Sequence, residues 1–385
     1  MTYPHKIKFN LFLTGLLLTS GVFAQQPLQI GGYQFKTIRN MESGTVEDQG
    51  KTGTCWSFSG LSFFQAEALR LGKGAGLNLS EMFVVRNMYP LKADNFIRMH
   101  GKANFGEGGE FSDDLLCLRR YGLVPQSVYD GNRQGIYDYS KMLAGLDSVV
   151  KKAAASERID PANYKTKVNA LLEQYMTTPP QTFTYENQSY TPETFAQALG
   201  LKADDYVMIT SFSHHPFYKP FVLEVPDNWN WEQLYNVPLS DLTAIAENAL
   251  KNGYTIGWAA DVSEFGFNYQ AGLALVPDLP PQRMNQAKYD SLFRQPLKER
   301  AITQEMRQAA FDNYETQDDH GMHIVGLVQN QFGNLFFKVK NSWGTGHSAA
   351  DGYFYASEPY FAYKTTSIMV NKKALPKTIA RKLGL

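Results

Sequence analysis

The stretch Asp48 to Gly60 reads DQGKTGTCWSFSG. A glutamine and a glycine-rich turn lead into a cysteine that opens an apolar run of helical spacing, Trp56, Phe58, Leu61, Phe63, Phe64, Ala66, Ala68 and Leu69, which stops at Gly72. The spacing predicts a helix with Cys55 at its N-terminus. There the unpaired amides and the positive end of the helix dipole favour a thiolate, so Cys55 is a candidate nucleophile. Gln49, six residues earlier, can turn its side-chain NH2 toward an oxyanion forming beside the sulfur. Against this stands a plainer reading, in which Cys55 is a buried small hydrophobe or is bonded to Cys117.

A second stretch supplies the partner that such a thiol needs. Asp319-His320-Gly321-Met322-His323-Ile324-Val325-Gly326 begins a β run, a turn near Phe332 follows, and Leu335 to Lys340 returns toward Asn341-Ser342-Trp343-Gly344. In a hairpin, residues equally far from the turn lie side by side, so His320 and Asn341 meet at one end. His320 can then take the thiol proton, with the Asn341 side chain orienting the imidazole and Trp343 covering their hydrogen bond. His323 falls on the opposite face of the strand and reads as packed or hydrogen-bonded there. A metal site built from Asp318, Asp319, His320 and His323 is the alternative, weakened because H-x-x-H on a strand splays its imidazoles.

These segments resemble the papain superfamily of cysteine peptidases. The local signature C-G-[SA]-C-[WY] reads Thr52-Gly53-Thr54-Cys55-Trp56 here. Thr52 replaces the first cysteine, so the disulfide that many secreted members form at that point cannot exist. The run H-[AG]-x-x-x-x-G matches His320 to Gly326, which selects His320 over His323. Leu79-Ser80-Glu81-Met82, with Ser80 as a helix cap, corresponds to the segment that follows the nucleophile helix. Gly108 and Gly109 fall on the pair whose bare backbone binds extended substrate, and Trp343 joins them as a substrate-side residue; a Cβ would block such close approach.

The resemblance implies an α+β, papain-like fold of two lobes: a helical lobe carrying the nucleophile helix and an antiparallel, barrel-like β lobe carrying histidine and asparagine. Residues 25–385 would form this domain. Helix-like spacing over Tyr137–Glu157 and Pro161–Met176, then a capped helix at Thr191-Pro192-Glu193, marks a helical insertion at about 131–250. An insertion at that place points to the bleomycin hydrolase branch. That branch implies aminopeptidase action on peptide substrates, in which a C-terminal arm lies in the cleft, and assembly into a homo-oligomer. Here the tail 371–385 is short, basic and helix-like, shorter than the family's arm, so endopeptidase action with the same site is the second reading. An exported peptide-binding protein with a dead site is the third. The superfamily's mechanism uses no metal or organic cofactor.

Composition narrows the classes further. Lysine plus arginine and aspartate plus glutamate each number 37, which leaves no electrostatic footprint for nucleic acid. Lys6 and Lys8 precede an apolar run from Leu11 to Val22-Phe23-Ala24, a secretory signal over residues 1–24 with cleavage before Gln25. The run is shorter than the ~20 residues that span a bilayer, so a periplasmic or extracellular protein free of the membrane is expected. Two cysteines in an exported chain exclude a disulfide framework. Cys117 sits among Leu115, Leu116 and Leu118 and reads as core. His214 and His215 are adjacent at a strand end and should point apart, so no shared metal is expected of them.

Overall fold

The computed structural model describes residues 1–2, 27–133, 135, 137–278 and 285–385. Apart from its first two residues, the expected export signal lies outside the described residues.

The helix that opens at Cys55, α1 (Cys55–Arg70), is buried from Trp56 through Ala68. A helix covered on every side belongs between layers, and α1 lies between the other helices and the main sheet. Beside it stand α2 (Glu81–Arg98), whose cap Ser80 accepts from the Phe83 amide at 3.0 Å, and α3 (Phe111–Arg120). Of the stretch 131–250, α4 (Ser140–Ala154) and α5 (Pro161–Met176) pack on α2 and share one apolar core with α1. The Pro192 signal is realised in α6 (Pro192–Leu199): Thr191 caps it, proline fills its first turn, and Gly200 ends it at φ 78°. Only glycine takes that left-handed conformation without strain.

The β lobe is one large sheet. A hairpin of β1 (Leu28–Ile30) and β2 (Tyr33–Asn40) precedes α1, and a small separate hairpin joins β3 (Phe183–Tyr185) to β4 (Gln188–Tyr190). Then follow β5 (Tyr206–Thr210), β6 (Pro220–Val222), β7 (Gln233–Asn236), α7 (Leu239–Lys251) and β8 (Ile256–Ala260). No element is read from the sequence between Val262 and Asp319; there the chain forms β9 (Phe267–Asn268), β10 (Leu273–Ala274), α8 (Gln286–Leu292) and α9 (Gln304–Asp312). The hairpin of β11 (His320–Gln329) and β12 (Leu335–Lys340) leads to β13 (Tyr353–Ser357), α10 (Glu358–Lys364), β14 (Thr365–Asn371) and a terminal α11 (Lys377–Leu383).

Sheet order is β6-β7-β5-β14-β8-β11-β12-β13-β10-β9, with β2 added alongside β11. The expected all-antiparallel pairing is modified at two places, because β5 with β7 and β10 with β13 run parallel. On one side β11 changes partner midway: His320 to Ile324 pair with β8, and Gly326 to Gln329 pair with β2. Gly326 makes the change possible, since a Cβ there would stand 2.9 Å from the Arg39 carbonyl oxygen of β2. The strand thereby bends around α1, and its first residue faces the helix N-terminus. Terminal helix α11 buries Ile379 and Leu383 in the sheet-side core.

Candidate active site

The N-terminus of α1 and the start of β11 meet closely because Gly321 lacks a side chain. A Cβ on Gly321 would lie 3.0 Å from both Ser59 Oγ and the Trp56 Cα. With hydrogen in its place, the Gly321 amide reaches the Cys55 sulfur at 3.4 Å. The histidine one residue earlier is thus held at the same helix end, and Cys55 and His320 line one cavity of about 310 Å³.

The hairpin pairs His323 with Lys340, so Asn341, the next residue, comes to the His320 end of the strand, with Asn341 Oδ1 2.7 Å from His320 Nε2. That oxygen also accepts the Ser342 amide at 2.9 Å, which fixes it as the acceptor end of the amide. Nε2 therefore carries the imidazole proton, and Nδ1 is left with its lone pair free to act as a base. Trp343 stacks on the His320 ring, centroids 4.7 Å apart at 29°, and shields this hydrogen bond from water.

Gln49 is anchored at both ends of its amide. Oε1 accepts from Ser342 Oγ at 2.6 Å, and Nε2 donates to the Thr52 carbonyl at 2.7 Å. One Nε2 hydrogen remains, and Gln49 lines the cavity with Cys55. Gly108 and Gly109 line the same cavity, but their lack of side chains has a second cause. A Cβ on Gly108 would meet Asp227 Oδ2 at 2.0 Å, and one on Gly109 would meet Asp113 Oδ2 at 2.4 Å and the Trp56 ring at 2.9 Å. Close packing against Asp227, Asp113 and Trp56 thus enforces both glycines independently of any substrate. The buried Lys92 ammonium donates to the carbonyls of Gly106 and Gly108 and steadies this strand-like edge.

Electrostatics set burial against the helix end. The helix N-terminus favours a thiolate, yet burial pushes the Cys55 thiol up to about 12, the Gly321 amide opposes the rise, and the Asp318 and Asp227 carboxylates add to it. Burial also pulls His320 below its ordinary value, against the Asn341 hydrogen bond and the Asp319 charge. Burial thus opposes charge on both groups, while the Gly321 amide at the sulfur and the Asn341 hydrogen bond at the imidazole favour it, and the proton passes from sulfur to Nδ1 as the pair becomes active.

Three acidic residues on the cavity wall, Glu110, Asp227 and Asp318, had no place in the peptidase reading of the sequence, where Asp318 entered only as a candidate metal ligand. Burial raises all three, and the Asp318 and Asp227 charges add to the rise at Glu110. Their positions were visible only indirectly, Glu110 after the glycine pair and Asp318 just ahead of His320; Asp227 arrives from a distant loop. Ser342, beside Asn341, is the other residue missed.

The remaining candidates separate cleanly. His323 is fully buried on the far face of β11, its Nδ1 2.8 Å from Ser62 Oγ, so the Asp318, Asp319, His320 and His323 side chains do not converge on an ion. Cys117 is fully buried, and both cysteines are free thiols. The expectation that His214 and His215 point apart is overturned: both Nε2 atoms face the Glu224 carboxylate, at 3.0 and 2.7 Å.

A nucleophile helix packed on a sheet that returns histidine and asparagine to its N-terminus defines a papain-like cysteine peptidase. The chain belongs to the Peptidase C1-like family, which it matches over residues 93–384. It is 24% identical to aminopeptidase C of Lactobacillus delbrueckii subsp. lactis, covering 89% of this chain and 82% of that protein. Aminopeptidase E of Lactobacillus helveticus is also 24% identical, with 87% and 82% covered. In fold the chain is similar to the crystal structure of PepW from Lactobacillus rhamnosis HN001, with a TM-score of 0.71 at 21% identity over 91% of this chain and 84% of that one.

Proposed function

We propose that the protein is an aminopeptidase that cleaves peptides through an acyl-enzyme on Cys55. Cys55 Sγ attacks the carbonyl carbon of the scissile bond as His320 Nδ1 takes its proton. The oxyanion is held by the Cys55 amide and the remaining Nε2 hydrogen of Gln49. His320 then gives its proton to the departing amine, leaving a thioester. Water, deprotonated by the same imidazole, releases the acid and restores the thiol.

The observation that carries the choice of substrate end is the acidic wall formed by Glu110, Asp227 and Asp318 beside the thiol. The buried Lys92 ammonium offsets part of the charge at Asp227, and a free α-ammonium supplies the counter-charge that Glu110 and Asp318 do not get from it; the relatives named above as aminopeptidases agree with that choice. Neutralising Asp318 and Asp227 also removes part of what holds the thiol protonated, so a correctly placed amine assists its own cleavage. Export to the periplasm or beyond, read from residues 1–24, belongs to the same proposal. The test compares free and N-acetylated peptides of one sequence: the free peptide should be hydrolysed at the first bond with much the larger kcat/KM, and the preference should shrink in Asp227→Asn. Equal rates on both peptides would leave an endopeptidase using the same thiol.

A further inference from the structure

We infer that His214, His215 and Glu224 form a binding site for a divalent transition-metal ion of the zinc type, outside the catalytic cleft. The three side chains come from two segments, the loop after β5 and the residues that follow β6, and each offers one donor atom within 4.8 Å of the other two. His214 Nε2 lies 3.0 Å from Glu224 Oε2, and His215 Nε2 lies 2.7 Å from Glu224 Oε1. Donors held at about 2.0–2.1 Å around a tetrahedral zinc stand roughly 3.3 Å apart. A small parting of these atoms therefore admits the ion, and two imidazoles with a carboxylate are a donor set suited to it.

The rings are fixed before any ion arrives. His215 stacks on Phe221 at 4.3 Å, while His214 lies parallel to Phe311 at 5.9 Å and edge-on to Phe221. Behind His214, the Gln308 amide of α9 places Nε2 3.1 Å and Oε1 3.4 Å from Nδ1. One amide thus serves either tautomer: it donates to a bare Nδ1 when Nε2–H points at Glu224, and it accepts from Nδ1–H when Nε2 binds a metal. An outer partner of this kind orients a ligating histidine. Exposure is intermediate, 30% for the His214 side chain and 35% for His215, so an ion can enter from solvent.

The site adjoins the cleft wall. Its neighbouring cavity, about 520 Å³, is lined by His214, Glu224, Phe311 and Asp318, and Asp318 also lines the catalytic cavity. Glu224 lies three residues before Asp227, which leans on Gly108. Metal occupancy would pin the segment that carries Asp227.

The test uses the full chain carrying Cys55→Ser, so that a thiol–imidazole pair cannot bind the probe. Zn²⁺ alone is titrated by calorimetry, with thermal melting recorded in parallel. One ion per chain should bind and raise the melting temperature. Adding Glu224→Gln, a change of one atom, or His215→Ala should weaken binding by more than about tenfold, the least that losing even an outer partner costs a metal site. Adding His347→Ala, on the surface elsewhere, should change nothing. If Cys55→Ser binds no Zn²⁺, or if the Glu224→Gln and His215→Ala versions bind as well as their parent, the cluster is a hydrogen-bond clamp only and the inference fails.

Discussion

His320 and His323 stand three residues apart on one strand, and the structure gives them opposite lives. His320 lines the cleft with Nε2 on Asn341, which leaves Nδ1 as the ring nitrogen free to serve the thiol in the same cavity. His323 faces the interior, where Ser62 Oγ receives a hydrogen from Lys340 and gives its own to His323 Nδ1. Burial, then the Lys340 charge, pulls His323 well below the usual histidine range. Burial lowers both rings, but only His320 lines the cavity that also holds the Cys55 thiol. The comparison teaches that strand parity, fixed by the two-residue period, decides which histidine does chemistry before any detail of the site is known.

The hardest blow to that comparison is to exchange the two histidines for alanine in turn. His320→Ala removes the base and should cut kcat by at least ~10²–10⁴-fold, the range assigned to a positioned general base. His323→Ala should leave kcat within a small factor of wild type. Near-equal losses of kcat from the two changes, in protein that is folded by circular dichroism, would break the assignment.

Next in size is the contact that lets the strand reach the helix. Gly321→Ala places a Cβ 3.0 Å from the Trp56 backbone and Ser59 Oγ, so β11 must retreat. Since a shift of about 1 Å in catalytic geometry can cost ~10²-fold, kcat should drop on that order while the fold persists. A variant with full activity would mean that the Gly321 amide and the close packing do not position Cys55. The third effect lies on stability alone. His323→Ala strips the partner from a buried hydroxyl, an expected loss of about 1–3 kcal/mol, read as a lowered denaturant midpoint.

These residues also show what a sequence can and cannot disclose. The histidine choice, the nucleophile helix and the Asn341 contact were legible because each follows from a local period or from a hairpin register. Ser80 and Thr191 could be read as caps because a cap acts within its own first turn. By contrast, Asp227 reaches Gly108, and Glu224 reaches His214 and His215, from segments whose approach depends on where β6 and β7 join the sheet. The parallel pairing of β5 with β7 has no adjacent turn to announce it. The acidic wall was hidden for the same reason: Glu110 and Asp318 lie far apart in the chain and acquire their raised values only when burial brings them together. Reading adjacent histidines as divergent failed because side-chain torsions let both rings fold toward one carboxylate.

The smallest expected effect is the most diagnostic of the His320 environment. The active pair carries one proton, shared between sulfur and Nδ1, so the acid limb of kcat/KM marks addition of a second proton to the pair. Burial lowers His320, which places that limb below the free histidine value of about 6.5. The Asn341 hydrogen bond acts the other way, stabilising the imidazolium and raising the value. Removing it in Asn341→Ala should therefore move the acid limb to still lower pH, along with a fall in kcat from the loosened ring. Asn341→Asp puts a negative charge on the same nitrogen and should move the limb upward. A limb that shifts the same way in both variants would show that Asn341 only fills space beside Trp343 and does not act on the imidazole through its oxygen.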